Sequence, residues 1–485
     1  MCVDHVGSMR KADVRVLWRE GLAVAGLLVV QLASDYAGAA LFVSLAVWAC
    51  RSTRNAVQSL SLSAVVTLCN PALVGDHRPF ITTLRWVLLF AATLRIFGDA
   101  DWRPKARPGW LTPLIVFGAV ALALSVVGRD WVLSGLKICV FLAGAGSALV
   151  GIRDRRYPLT YWLSWFVTVY AVVLSLSVPL YFMSAGRSRN QVGFQGILGQ
   201  PQAYGVFVAP LAVYLAVSLL TGRIQFRVHW TTYLILPWSW YSLFESGCRT
   251  ALLAAGFAVL VSLSSILLLA ARARVRTRLL FGVGAGAAVC VIGLMLYGGD
   301  IRDVMIGFLQ KGRYSLETSL FSPEGLGGAR VFQARTLFAS FTERPLTGMG
   351  FGLAAAGVEQ SIGNDRIIGL PVSAPTEQGI LPLAVLAQIG FPGAIVLAVF
   401  LYAIAKPVMA GGRPAFIALF LTLMFVNLGE LIFFALGSGG MQMWLLVAVC
   451  YEAAMATGRG QTGSQSRSSG RVLTLATSTG AAWRG

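Results

Sequence analysis

Apolar residues in this chain neither alternate nor keep to one face; they run. The stretches 159–185, 251–271, 279–299, 379–405 and 431–451 carry no charge at all. Each matches the roughly 20 residues that a helix needs to cross a hydrocarbon layer. Shorter or weakly interrupted runs occupy 16–33, 36–50, 56–74, 80–98, 111–127, 131–150, 203–221, 230–245 and 414–429. Strands of a membrane barrel would alternate polar and apolar residues, so only helices suit runs this continuous. The pattern predicts an all-α, polytopic integral membrane protein with about 12 to 14 membrane-spanning helices. Part of that range comes from the first two runs, which meet at Asp35 and read as one long tilted helix or two short ones.

Composition sharpens this picture by exclusion. The chain is 56% hydrophobic and 12% charged, with a mean hydropathy of +0.72. Ordinary soluble domains carry about 25% charged residues, so a soluble enzyme and a disordered scaffold are both excluded. The seven cysteines are scattered, with no CxxC pair, which implies neither a disulfide framework nor a zinc knuckle. His5, His77 and His229 are isolated, so no metal site is expected. No cleavable signal peptide stands out, because the first apolar run leads into further spans.

The remaining charge is one-sided: 39 Lys and Arg against 20 Asp and Glu, a formal +19. The basic residues punctuate apolar runs instead of forming a basic domain, so nucleic acid is not the expected partner. They sort by loop. With both termini cytoplasmic, the inner side holds Arg51, Arg54, Arg103, Lys105, Arg107, Arg153, Arg155, Arg156, Arg223, Arg227, Arg272 to Arg278, Lys406, Arg413 and the bases of both tails. Short outer loops hold only Arg78, Arg129, Arg187, Arg189 and Arg249, as the positive-inside bias requires. Three regions follow: N-terminal spans over 1–185, a second membrane region over 186–456, and a Gly/Ser/Thr/Arg-rich tail over 457–485, whose composition predicts disorder. Within the second region, 300–377 forms one long outward loop, and loops of that length are more often functional than connecting.

Four outward segments carry candidate chemistry. Gly186 to Gln202 (GRSRNQVGFQGILGQPQ) combines Arg187 and Arg189 with glycines and amides such as Gln200. That set suits phosphate or hydroxyl-rich groups, a Gly-rich surface turn being the alternative. Arg249 opens the run 251–271 on the outer face, and interfacial snorkelling, with a pair to Glu245 at i,i+4, is the simpler reading. In the long loop, Val331, Ala334, Leu337, Phe338 and Phe341 recur with helical spacing. They predict a short amphipathic helix with Arg330 on its apolar side and Arg335 at its edge. Glu377, where the loop re-enters the membrane, and Glu430, near the outer end of a later span, are acids at costly depth. Either reads as half of a salt bridge or as a functional group. Arg85, Arg95 and Lys137 lie inside apolar runs without forming an evident relay.

In this order, these segments resemble the O-antigen ligase / polysaccharide polymerase superfamily of membrane glycosyltransferases. The likeness covers roughly 185–450 and is carried by GQPQAYG, SGCRTALLA, ARVFQARTLF with ERPLTGMGFG, and EQGILPLAVLAQIGFPG. The residues before it match in hydropathy only.

The resemblance implies a bacterial inner-membrane enzyme that needs neither cofactor nor metal. It implies a polyprenyl-diphosphate-linked glycan donor, a saccharide acceptor, bound membrane lipid and other polysaccharide-assembly proteins as possible partners. Arg249 and Arg330 would act on the leaving diphosphate. Arg187, Arg189, Gln200, Arg335 and Glu430 would contact substrate. Ligases of this family carry a histidine late in the long loop, whereas this chain has none after His229. Glu377 then stands as the available base, and the expectation moves toward a polymerase. The alternative is a transporter or flippase of lipid-linked or anionic solutes, although no internal repeat is evident.

Overall fold

A computed structural model describes residues 11–31, 35–70, 73, 79–100, 108–154, 156–187, 193–221, 230–270, 323–353, 366–367, 370–371 and 379–476. The fold is helical. Along the chain come α1 (Lys11–Gln31), α2 (Asp35–Ala49), α3 (Thr53–Leu68), α4 (Pro79–Asp99), α5 (Leu111–Val126), α6 (Trp131–Ile152) and α7 (Leu159–Leu180). There follow α8 (Pro201–Leu220), α9 (Trp230–Glu245), α10 (Arg249–Ala270), α11 (Pro323–Glu343), α12 (Leu381–Gly411), α13 (Pro414–Gly429) and α14 (Gly439–Ala476). An antiparallel ladder pairs β1 (Arg366–Ile367) with β2 (Leu370–Pro371). Among the described residues, α6, α7, α8 and α12 are long and apolar enough to cross a membrane.

Several elements start where side chains satisfy the free first-turn N–H groups. Ser52 accepts from Asn55 N at 3.2 Å to open α3, and Asp130 accepts from Leu133 N at 3.0 Å to open α6. Pro201 takes the first turn of α8, where its missing N–H costs nothing. The two runs that meet at Asp35 are separate helices: α1 packs on α7, whereas α2 packs on α3 and α4. The run 279–299 lies outside the described residues. At the other end of the chain, α14 continues to Ala476, into the stretch whose composition predicts disorder. Once the apolar first turns of α14 are formed, extension needs no new nucleus and gains one hydrogen bond per residue.

The bundle has two differently built ends. At one, Arg54 pairs with Glu20, its Nε donates to the Tyr161 hydroxyl at 2.7 Å, and its guanidinium lies 4.7 Å from that ring's centre. Alongside, Asp99, just past the apolar run 80–98, accepts from Thr53 Oγ1 at 2.8 Å. It also meets Arg95 at 3.1 Å and Arg156 at 3.3 Å. The opposite end gathers the end of α3, the starts of α6, α8 and α14, and the turn after α13 around a cavity.

Between the two ends lies an aromatic core. Phe141 sits edge-on to Phe117, Phe434 and Trp444 at 5.4, 5.3 and 5.7 Å between ring centres, a favoured geometry for stacked quadrupoles. Phe351, from the segment after α11, enters the same cluster 4.8 Å from Phe434. The segment reaches that depth because α12 is broken. Gly390 has φ 63° and ψ −173°, a conformation open essentially to glycine alone. Pro392, two residues later, has no N–H to give Gln388 O. The orphaned carbonyls of Ala387 and Gln388 instead accept from Met349 N and Gly350 N, both at 2.9 Å. In return Phe391 N donates to Pro345 O at 2.8 Å.

Two predictions follow from these contacts. A Cβ at Gly390 would meet Leu346 O at 2.5 Å as well as a disallowed φ, whereas Gly256 in α10 has nothing within 4 Å. Gly390→Ala should therefore cost about 2–4 kcal/mol of unfolding free energy, and Gly256→Ala should be neutral or slightly stabilising. Denaturant unfolding in detergent, followed by tryptophan fluorescence, separates them; equal effects would discard the break as a structural determinant. The second prediction concerns Asp99. Partial burial alone would raise its pKa, but the hydrogen bonds from Thr53 and Arg156 and the charges of Arg95 and Arg156 outweigh it and hold the carboxyl below its usual value. A depressed folded pKa contributes stability that is complete above the unfolded value near ~3.9 and is lost as pH falls through the folded one. Asp99→Asn should thus melt below the parent at pH 7 and level with it near pH 3; an unchanged gap at low pH would refute the charge assignment.

Candidate functional site

The cavity at the second end measures about 440 Å³, within the range of small-molecule sites. Its inner wall is apolar, built from Val140, Phe207, Pro210 and the ring of Tyr170. Polar groups enter from four directions. Arg85 comes from α4, Lys137 from α6, Gln200 and Gln202 from the start of α8, and Glu430 from the end of α13.

Irregular backbone forms much of the lining, and amide side chains hold it. Residues 193–200 fold across the end of α3: Asn70 N donates to Ile197 O at 2.8 Å and Gly199 N to Leu68 O at 2.7 Å. Asn70 Nδ2 reaches Ala185 O at 2.8 Å, and Gln195 Nε2 reaches Arg187 O at 3.1 Å. Gly196 turns at φ 54°, with Ser177 Oγ where a Cβ would stand. This strap delivers Gln200 to the N-cap position of α8. The turn after α13 is held in the same way. Asn427 Oδ1 accepts from Ile432 N at 3.1 Å and Phe433 N at 2.8 Å, while Trp444 Nε1 donates to Phe433 O at 2.9 Å.

The two cations in the lining are directed by backbone carbonyls. Lys137, 8% exposed, donates from Nζ to Gly352 O at 2.6 Å. Arg85 donates from Nη1 to Gly437 O at 3.2 Å. Glu430 accepts from Thr250 Oγ1 at 3.5 Å, and Thr250 directly follows Arg249 at the start of α10. Two further wall groups, Gln31 Oε1 and Thr67 Oγ1, are buried without a hydrogen-bond partner among the described residues. An unsatisfied buried acceptor costs about 1–3 kcal/mol.

Of the candidates from sequence, the structure brings Gln200 and Glu430 to the cavity and the start of α10 close to Glu430. It does not bring Arg187 there. That guanidinium sits 3.8 Å from Glu245 and 5.6 Å over the ring of Tyr181. Glu245 is therefore engaged by an arginine 58 positions earlier in the chain (187 against 245), where the i,i+4 spacing had pointed to Arg249. The expected amphipathic helix is α11, which packs on α12. Leu337 is buried, but Phe338 is 56% exposed and Arg335 faces outward. Arg330 lies on α11 with its side chain outside the described set, and Arg189 and Glu377 lie outside the described residues altogether.

Arg85, Lys137 and Gln202 are among the lining groups that sequence reasoning left without a role. The signal for the two cations was their position inside apolar runs, where an ionisable side chain marks a functional site by default. Nothing local indicated that α4 and α6 face one cavity. Among the described residues, no group of three or more His, Cys, Asp or Glu could hold a metal ion. No protein-family profile matches the chain, and no curated protein matches it in sequence.

Proposed function

We propose that this chain is a multi-pass glycosyltransferase of the bacterial inner membrane, joining a polyprenyl-diphosphate-linked oligosaccharide to a saccharide hydroxyl at the outer face. The reading favours polymerisation over transfer to a ligase acceptor. The cavity carries it: an apolar wall continuous with a mouth of cations and amides suits a donor that is part lipid, part anion and part sugar.

The membrane setting is supported by the outward faces of the helices. Leu22, Leu94, Leu253 and Tyr402 are each more than 60% exposed, a surface that water solvates poorly and lipid solvates well. Orientation is supported by the split between the ends. Arg54, Arg95 and Arg156 cluster opposite the cavity, so the positive-inside bias turns the cavity outward and both termini inward.

On this reading the acceptor oxygen attacks the anomeric carbon of the donor. The bond from that carbon to the phosphate oxygen breaks, and polyprenyl diphosphate leaves with the bonding pair. Its charge is met by arginines, which hold phosphate with permanent, paired hydrogen bonds. Arg249 and Arg330 serve here, with Arg189 ahead of Arg187 because Arg187 is engaged by Glu245. The acceptor proton passes to Glu377, a role that requires a carboxylate.

Purified protein in lipid, given a polyprenyl-diphosphate-linked repeat unit, should yield a ladder of multiples on a gel. Single transfer onto added lipid A-core would make it a ligase. A donor that crosses the bilayer with no new bond would overturn the transferase reading in favour of transport. Glu377→Gln should slow transfer by about 10²-fold or more while donor binding survives. Arg249→Ala and Arg330→Ala should each slow it by about 10²-fold in folded protein. Wild-type turnover in any of the three would remove that residue from the mechanism.

A further inference from the structure

Lys137 has an unusual position for a cation. It is 8% exposed and stands on a helix long and apolar enough to cross a membrane. Among the described residues it forms no ion pair, and Gly352 O takes one of its three N–H donors at 2.6 Å. Asp130, at the start of the same helix, is the acid whose charge reaches it. A buried ammonium is costly to retain without an anion beside it, and this one lines a cavity that Arg85 also enters. In the described lining these two bases face one acid, Glu430. The same lining includes the apolar surface of Val140 and Phe207. The volume of about 440 Å³ accommodates a phosphate-bearing headgroup and the first part of an apolar chain.

We propose that Lys137, seconded by Arg85, is the cation that binds the phosphate-bearing headgroup of a lipid in this cavity. This deepens the transferase reading, on which it rests for the identity of the lipid, by assigning the headgroup to residues from the first half of the chain. The likeness that suggests the reaction does not reach that half. Binding puts the anion against Phe351 and Gly352, so the segment that plugs the broken helix also forms the floor of the anion site.

The test is equilibrium binding to the full-length protein in detergent, with farnesyl diphosphate, farnesol and inorganic pyrophosphate as probes. Farnesyl diphosphate should bind and farnesol should not. Pyrophosphate binding as tightly as farnesyl diphosphate would make a free anion the source of the chemistry; much weaker binding would make it a lipid headgroup. Lys137→Met, which keeps the length and removes the charge, should weaken farnesyl diphosphate binding about tenfold or more, and Arg85→Gln should weaken it less. Unchanged affinity in folded Lys137→Met overturns the proposal. If that variant does not fold, Ala203→Trp decides, because it fills the cavity from α8 and leaves Lys137 in place. Lost binding then supports the cavity site, and retained binding overturns it. The two proposals fail separately. Headgroup binding without glycosyl transfer would sink the transferase and keep the site, whereas transfer unaffected by Lys137→Met would do the reverse.

Discussion

The exchange of backbone hydrogen bonds at the break in α12 is the constraint on which the rest of the site depends. A helix that contains Gly390 and Pro392 leaves two carbonyls without donors, and in an apolar interior each would cost several kcal/mol. The segment Pro345 to Gly352 supplies the missing donors from Met349 and Gly350 and takes back the N–H of Phe391. Such a close approach is possible only without side chains: a Cβ at Gly348 would lie 2.4 Å from the carbonyl of Gln388. The break and the plug are therefore one feature. It carries Phe351 into the aromatic core and presents Gly352 to Lys137.

The other two walls follow the same logic. Non-helical backbone within an apolar bundle survives only where its polar groups are satisfied by protein or by water in a cavity. Asn70 and Gln195 hold the strap before α8, and Asn427 holds the turn before α14. Each is a carboxamide, able to donate and accept without adding charge. The cavity is thereby framed by three irregular segments fixed from within, and its polar groups need little reorganisation to meet a ligand.

The same account explains what was legible in the sequence. Apolar runs placed α7, α8, α12 and α13 closely, because a helix in such surroundings is dictated by composition over its whole length. The amphipathic stretch that became α11 was visible from the spacing of its apolar residues. Pairings between distant helices were not. That Glu245 meets Arg187 depends on how the strap folds back, which spacing along the chain does not show. The glycines of TGMGFG carried a resemblance, but their purpose is set by a break about forty residues further on. Arg85 and Lys137 were conspicuous one at a time. Their convergence depends on which helix faces pack together, and hydropathy alone does not specify that.

What distinguishes the two ends of the bundle is how their cations are held. At the basic end, Arg54 answers Glu20, while Arg95 and Arg156 answer Asp99, so charge is largely cancelled in place. At the cavity, Lys137 forms no ion pair among the described residues and is aimed by the carbonyl of Gly352. A carbonyl orients an ammonium or guanidinium and satisfies one of its hydrogens, but it cancels none of its charge. In a low-dielectric surround the field of such an ammonium is strong at short range, and an incoming anion gains most where the cation is already oriented toward it. The first end is built to hold the bundle together. The second leaves the Lys137 ammonium facing the cavity, and that difference separates the two ends.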